Sequence, residues 1–118
     1  MKENVIQTKS YAFALNIVKV YQRHYQNSDV RSLLRQFLAS GTSIGANVEE
    51  AEGGQSRRDF VAKLSISYKE ARETKYWIRL LRDSNVFNAS EAEVLSNDCD
   101  ELLRILTAIL NTSKRSNS

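Results

Sequence analysis

From Val30 onward, apolar or small residues recur at alternating steps of four and three: Val30, Leu34, Phe37, Gly41, Ile44, Val48 and Ala51. After a Gly53-Gly54 break the same rhythm resumes with Phe60, Leu64, Ser67, Ala71, Thr74, Ile78 and Leu81. A 3.5-residue repeat held this long puts one stripe along one side of a helix. Two such helices joined by a short turn bury their stripes by crossing at a shallow angle. No strand alternation competes with this pattern, and none of the 118 residues is a proline. An all-α, antiparallel up-down-up-down four-helix bundle is the expectation, as one domain over residues 1–118.

The helices are expected near residues 8–26, 29–52, 57–84 and 90–112. In the first, Tyr11, Leu15, Val18 and Tyr25 form the apolar line, broadened by Ile17 and Val20, with Lys9, Lys19 and Arg23 mostly on the other side. Residues 1–7 carry no strong pattern and read as frayed. Gln26-Asn27-Ser28-Asp29 ends the helix and offers side-chain oxygens to cap the second. Within the second helix, Gly41 and Gly45 each cost about 1 kcal/mol against alanine, which close approach of a neighbouring backbone would offset. The Ser40-Gly41-Thr42-Ser43 run could break the helix with Ser43 as a new cap. The phase survives across the glycines, which favours a continuous helix.

Gly53-Gly54 supplies the residue type suited to a left-handed C-terminal turn, and Ser56 with Asp59 reads as an acidic variant of a capping box. Val86 and Phe87 are expected to plug the core from the loop after the third helix. Ser90 with Glu93 reads as a capping box opening the fourth, whose seam is Ala92, Leu95, Cys99, Leu102, Leu106 and Ile109, widened by Leu103 and Leu110. That helix is acidic early (Glu91, Glu93, Asp98, Asp100, Glu101) and basic late (Arg104, Lys114, Arg115), which suits its dipole. Residues 111–118 are polar and read as loose. Phe13, Ile17, Val20, Val61, Trp77 and Leu80 exceed what one thin core needs and point to an oligomeric contact.

The function classes narrow by elimination. With Cys99 alone there is no internal disulfide, and no Cys/His spacing suits zinc; a reducing, cytoplasmic compartment follows. Neither a secretory h-region nor an apolar run of transmembrane length is present, so no membrane association is expected. A di-iron site in a bundle needs a Glu-x-x-His pattern on paired helices, and His24 is the only histidine. His24 reads as a solvated or capping residue and Cys99 as a core thiol. No phosphate-cradling loop, catalytic constellation or cofactor site emerges, so the chain reads as a non-enzyme with no cofactor.

Charge is more informative. The net charge is +3, but residues 1–27 hold four bases against one acid and residues 56–84 eight against four. Between and after them, acids predominate. On the third helix Arg72, Lys75, Arg79 and Arg82 fall on one stripe, beside Tyr76 and Trp77. Such a stripe is either a solvated face with (i, i+4) pairs, Lys69 with Glu73 among them, or a phosphate-contacting strip to which Lys19 and Arg23 could add. Asn47, Glu50, Glu70, Glu73 and Thr74 press against the seams and suggest a polar network between helices two and three, setting register or assembly.

The run Ser43-Ile44-x-x-Asn47-Val48-x-Glu50, followed by Gly53, Asp59-Phe60, Leu64, Lys69-Glu70-Ala71 and Trp77, resembles the bacterial four-helix bundle proteins, the 23S rRNA intervening-sequence proteins, called S23 ribosomal proteins in older naming. It covers helices two and three densely. The chain departs in one place, with Thr42 where many members carry proline. The resemblance implies an up-down bundle assembling as a ring, a homopentamer, and kinship with the basic accessory protein of diversity-generating retroelements, which binds nucleic acid and a reverse transcriptase. It carries no catalytic residues; Ser43, Asn47 and Glu50 carry over as a structural motif. Together these readings lead to an oligomeric bundle binding structured RNA or another nucleic acid. The alternative is a protein-protein interaction scaffold with no nucleic-acid role.

Overall fold

The computed structural model describes residues 4–116, in which four α-helices form an antiparallel bundle of 47 × 25 × 20 Å. They are α1 (Val5–His24), α2 (Arg31–Glu52), α3 (Arg57–Asp83) and α4 (Ala89–Ser116). Among the described residues there is no strand. Each helix packs on its chain neighbour, and the α1–α4 seam that closes the bundle is the sparsest. The backbones of α1 and α3 stand diagonally opposite, without close approach.

On α2 and α3 the expected seams are the buried ones. Every member from Leu34 to Ala51, and from Leu64 to Leu81, is buried; Val30 and Phe60 at the ends are half-buried. α2 is continuous through Gly41 and Thr42, where the Thr42 hydroxyl donates to the Leu38 carbonyl at 2.8 Å instead of a proline interrupting the ladder. The seam between α2 and α3 contains buried hydroxyls, each with a partner. Ser67 Oγ donates to the Ile44 carbonyl at 2.8 Å, and the Thr74 hydroxyl lies 2.7 Å from the Glu70 carbonyl and 3.0 Å from Ser40 Oγ. This is the expected polar network, but Ser40, Ser67 and Thr74 form it. Asn47 bonds within its own helix, to the Ser43 carbonyl at 2.8 Å.

On α1 the expected face is wrong. Tyr11, Leu15 and Tyr25 are 69%, 47% and 44% exposed, whereas Ile6, Ser10, Phe13, Ile17 and Val20 are buried. The glycines of α2 account for this. A Cβ on Gly41 would stand 2.8 Å from the Ile17 side chain, and one on Gly45 3.2 Å from the Ser10 carbonyl oxygen. The two bare positions therefore seat α1, and only a seam with serine opposite Gly45 and isoleucine opposite Gly41 fits them. Phe13, Ile17 and Val20 are thus core and are not available for an oligomeric contact.

The helix ends hold further corrections. α1 starts at Val5, capped by Asn4, whose side chain accepts from the Gln7 amide at 3.3 Å; residues 1–3 of the expected frayed end lie outside the described residues. α2 is entered through a 3₁₀ turn, Ser28–Val30, with no side-chain cap. Neither glycine of the Gly53-Gly54 turn is left-handed, since no described glycine has positive φ. Gly54 is there because a Cβ would come 3.0 Å from the Ala51 carbonyl oxygen. Ser56 caps α3 as expected, accepting from the Asp59 amide at 3.1 Å.

α3 closes with Asn85 at φ 65°, the left-handed residue of a Schellman motif. The Val86 amide bonds back to the Leu81 carbonyl at 2.9 Å and the Asn85 amide to the Arg82 carbonyl at 3.0 Å. That turn drives Phe87 inward, 2% exposed, with its ring 5.1 Å from Phe37. α4 is capped by Asn88, which accepts from the Glu91 amide at 2.8 Å, so Ser90 sits within the first turn instead of capping it. Its seam drifts at the end from Ile109 to Leu110 and Ser113, both buried, so the segment expected to be loose is helical through Ser116. The side chains of Lys114 and Arg115 lie outside the described residues.

Candidate nucleic-acid interface

A base can serve an anionic partner only if it is exposed and not already engaged. Two of the four expected stripe members of α3 are engaged. Lys75, beside the apolar seam, turns toward α4 and pairs with Asp100 at 2.7 Å. Arg82 Nε pairs with the adjacent Asp83 at 2.8 Å. That bond holds the Asp83 carboxyl below its ordinary range and raises the Arg82 guanidinium. Arg72 and Arg79 are exposed and make no ion pair among the described residues.

Those two belong to a longer outward line. Arg58, Ser65, Lys69, Arg72, Tyr76 and Arg79 follow at steps of seven, four, three, four and three, and all are exposed. Arg58 and Lys69 also make no ion pair among the described residues. Sequence reasoning missed them because it anchored the stripe on Lys75 and Arg82, which turn to Asp100 and Asp83. The signal was available: the same periodicity runs back from Arg72 through Lys69 to Arg58. The expected pair of Lys69 with Glu73 does not form, since Glu73 Oε2 instead accepts from the Trp77 indole at 3.1 Å. Of the bases of α3, Lys63 reaches α2 and Lys75 reaches α4, while Arg58, Lys69, Arg72 and Arg79 lie outward. Desolvation, and then the Glu73 charge, raises the Glu70 carboxyl above its ordinary value.

Arg72 and Arg79 stand seven residues apart, about 10.5 Å along the axis at ~1.5 Å per residue. That is about three phosphates of one strand at ~3.4 Å each. Tyr76 lies between them, 52% exposed, with its ring 5.0 Å from Trp77 in an edge-to-face contact. An exposed aromatic flanked by free guanidiniums offers a base a stacking surface and its phosphates a fork.

Lys19 and Arg23 are not brought to this face, because α1 is diagonal to α3. Lys19 is exposed and without an ion pair among the described residues, whereas Arg23 Nη2 pairs with Glu91 at 2.6 Å. Glu91 also receives His24 Nε2 at 2.8 Å, and the His24 ring packs 5.2 Å from Phe87. His24 therefore ties the end of α1 to the start of α4 and is not simply solvated. Lys9 pairs with Glu101 at 3.2 Å, so α4's acids engage bases from both neighbouring helices.

The motif Ser43, Asn47 and Glu50 lies on the outer edge of α2 nearest α3. Ser43 Oγ donates to the Ala39 carbonyl at 2.7 Å, and Glu50 pairs with Lys63 at 2.9 Å across the two helices. Cys99 is fully buried; its thiol reaches the Ala71 carbonyl at 3.3 Å, and burial pushes it up to about 12. Among the described residues no cluster of His, Cys, Asp and Glu could hold a metal, and no helix is long and apolar enough to cross a membrane.

Residues 2–108 match the family model described as 23S rRNA-intervening sequence protein. Among solved structures the chain is similar to a protein of unknown function from the S23 ribosomal protein family of Bacteroides thetaiotaomicron VPI-5482. The two are 41% identical with a TM-score of 0.85, covering 89% of this chain and 97% of that one. Among curated proteins none matches.

Proposed function

We propose, on the premise that the chain belongs to the 23S rRNA-intervening sequence protein family, that it is a non-enzymatic, cytoplasmic, oligomeric bundle that binds structured RNA through the outward face of α3. The observation that carries this reading is the line Arg58, Lys69, Arg72 and Arg79, which make no ion pair among the described residues and lie around an exposed Tyr76. The family's name associates it with ribosomal RNA, and a duplex or hairpin supplies the phosphates such a line would neutralise. One subunit offers few contacts. A ring of copies, a homopentamer as the family resemblance implies, would multiply them, because linked weak sites raise overall avidity.

Filter-binding titration against a structured rRNA fragment at two salt concentrations tests this. Binding at low salt should weaken steeply as salt rises. Arg72→Glu with Arg79→Glu should lower affinity roughly tenfold or more, since each lost phosphate contact removes counterion release. Wild-type protein that binds no RNA at low salt, or a double variant that binds as well as wild type, would remove the reading.

The second reading, an interaction scaffold without nucleic acid, is favoured by Lys75–Asp100 and Arg23–Glu91, which show bases of this chain pairing with α4's acids. It predicts that the α3 face meets a carboxylate-rich surface of another protein instead.

A further inference from the structure

A groove runs between α3 and α4, lined by Ser65, Tyr68, Thr107, Leu110 and Asn111, with a volume of about 270 Å³. Leu110 is buried and Tyr68 half-buried, while Ser65, Thr107 and Asn111 are exposed, so an apolar floor lies under a polar rim. The Thr107 hydroxyl donates to the Leu103 carbonyl at 2.7 Å. The hydroxyls of Ser65 and Tyr68 and the amide of Asn111 make no hydrogen bond among the described residues. An aromatic ring and an amide with open donors and an open acceptor therefore share one recess.

The free charge beside the groove is of one sign. On α3, Arg72 follows Tyr68 by four residues; on α4, Arg104 precedes Thr107 by three and Asn111 by seven. Because the two helices run antiparallel, both arginines stand at the same end of the groove. Both are exposed, and neither makes an ion pair among the described residues. Lys69, also exposed, adjoins Tyr68 on the outward side, and Lys63 is turned away to Glu50. The acids nearby are engaged or face elsewhere. Asp100 pairs with Lys75 and Glu101 with Lys9, and α4 has no acid from Leu102 to Ser116. On α3, Glu70 and Glu73 lie about 200° and 140° around the helix from Tyr68, at 3.6 residues per turn.

We infer that this groove takes one unpaired base of an RNA lying on the outer face of α3, with the adjoining phosphate held between Arg72 and Arg104. This rests on the RNA-binding reading above and adds a subsite to it. Size favours a single ring system, because the groove falls below the roughly 300–1,000 Å³ of pockets that hold drug-sized ligands. Tyr68 supplies the stacking face, and the Asn111 amide offers a base edge both a donor and an acceptor. Position names the occupant: Ser65 and Arg72 belong to the outward basic line as well as to the groove's border. A strand that follows the line passes the opening. A paired base stays inside its duplex, whereas an unpaired one can be turned out, stacked on an aromatic ring and read on its edge.

Two RNA hairpins test this in filter-binding titrations, one fully paired and one differing only by a single bulged uridine. Wild type should bind the bulged hairpin about tenfold more tightly, the scale of one base stacked on one aromatic ring. Tyr68→Leu, which keeps an apolar side chain against the core, should abolish that preference and leave the affinity for the paired hairpin unchanged. Asn111→Ala should lower the preference about threefold, through the lost edge hydrogen bonds. Equal binding of the two hairpins by wild type, or an undiminished preference in Tyr68→Leu, would overturn the groove while the basic face stands. Wild type that binds neither hairpin at low salt removes both. Should Tyr68→Leu lose its helical circular dichroism, wild type decides alone: a 5-iodouridine at the bulge should crosslink to Tyr68 under ultraviolet light. A crosslink to Tyr76 instead would overturn the groove.

Discussion

The inner and outer faces of α3 share one backbone and follow opposite rules. Inside, Leu64, Ala71, Ile78 and Leu81 are fully buried, and the two hydroxyls among them, Ser67 and Thr74, are both hydrogen-bonded. Outside, Arg58, Lys69, Arg72 and Arg79 are without ion pairs among the described residues, although Glu73 is within a turn of Lys69. Burial explains the first, because an unpartnered polar group in a core costs about 1–3 kcal/mol. Water imposes no such rule outside, where an exposed pair is worth well under about 1 kcal/mol. The free bases are therefore neutral for folding, and their one-sided placement is a property of the surface, available to a partner.

The largest expected effect lies inside the bundle. Leu64→Ala should cost about 2–5 kcal/mol through lost burial and the cavity left behind, read as a fall in the urea midpoint. Its folded fraction should still bind RNA as wild type does.

Alkaline pH tests the core in another way. Below pH 9 the Cys99 thiol is protonated in folded and unfolded chains alike. Above it the unfolded chain ionises, whereas the folded chain holds its proton up to about 12. Stability should then fall by about 1.4 kcal/mol per pH unit across that window. Cys99→Ala should flatten this slope, and the native thiol should resist a disulfide reagent until the chain unfolds.

Smaller still is the helix seat. Gly41→Ala should destabilise by about 1–3 kcal/mol through overpacking against Ile17, despite alanine's helix preference. In an Ile17→Ala background the same change should stabilise by about 1 kcal/mol, because only the helix preference remains. Equal effects in both backgrounds would mean that Gly41 does not seat Ile17. The smallest expected effect is on the outer face: Arg72→Glu with Arg79→Glu should move stability by no more than about 0.5 kcal/mol. A larger loss would mean these arginines are structural.

The seams of α2 and α3 were legible because they bury their most regular face on both sides of one turn, so local periodicity and packing agree. α1 was misread for a physical reason. It carries two apolar lines, and the buried one is interrupted by Ser10, which faces Gly45 and is decided by that distant glycine rather than by its neighbours in sequence. Tyr11 and Tyr25 made the exposed line look stronger. The end of α4 was similar, its polar residues hiding the inward Leu110 and Ser113. At the surface, periodicity gave Arg72 and Arg79. It could not foresee that Lys75 would reach Asp100 or Arg23 reach Glu91, because those pairs depend on how neighbouring helices rotate.

The salt dependence of RNA binding tests the outward face most directly. Log affinity should fall linearly with log salt, with a slope smaller by about one for each face contact that Arg79→Gln removes per subunit. Lys75→Gln, which replaces a base already paired with Asp100, should leave the slope unchanged. An Arg79→Gln slope equal to wild type, with Lys75→Gln lowering it, would contradict the assignment of the face.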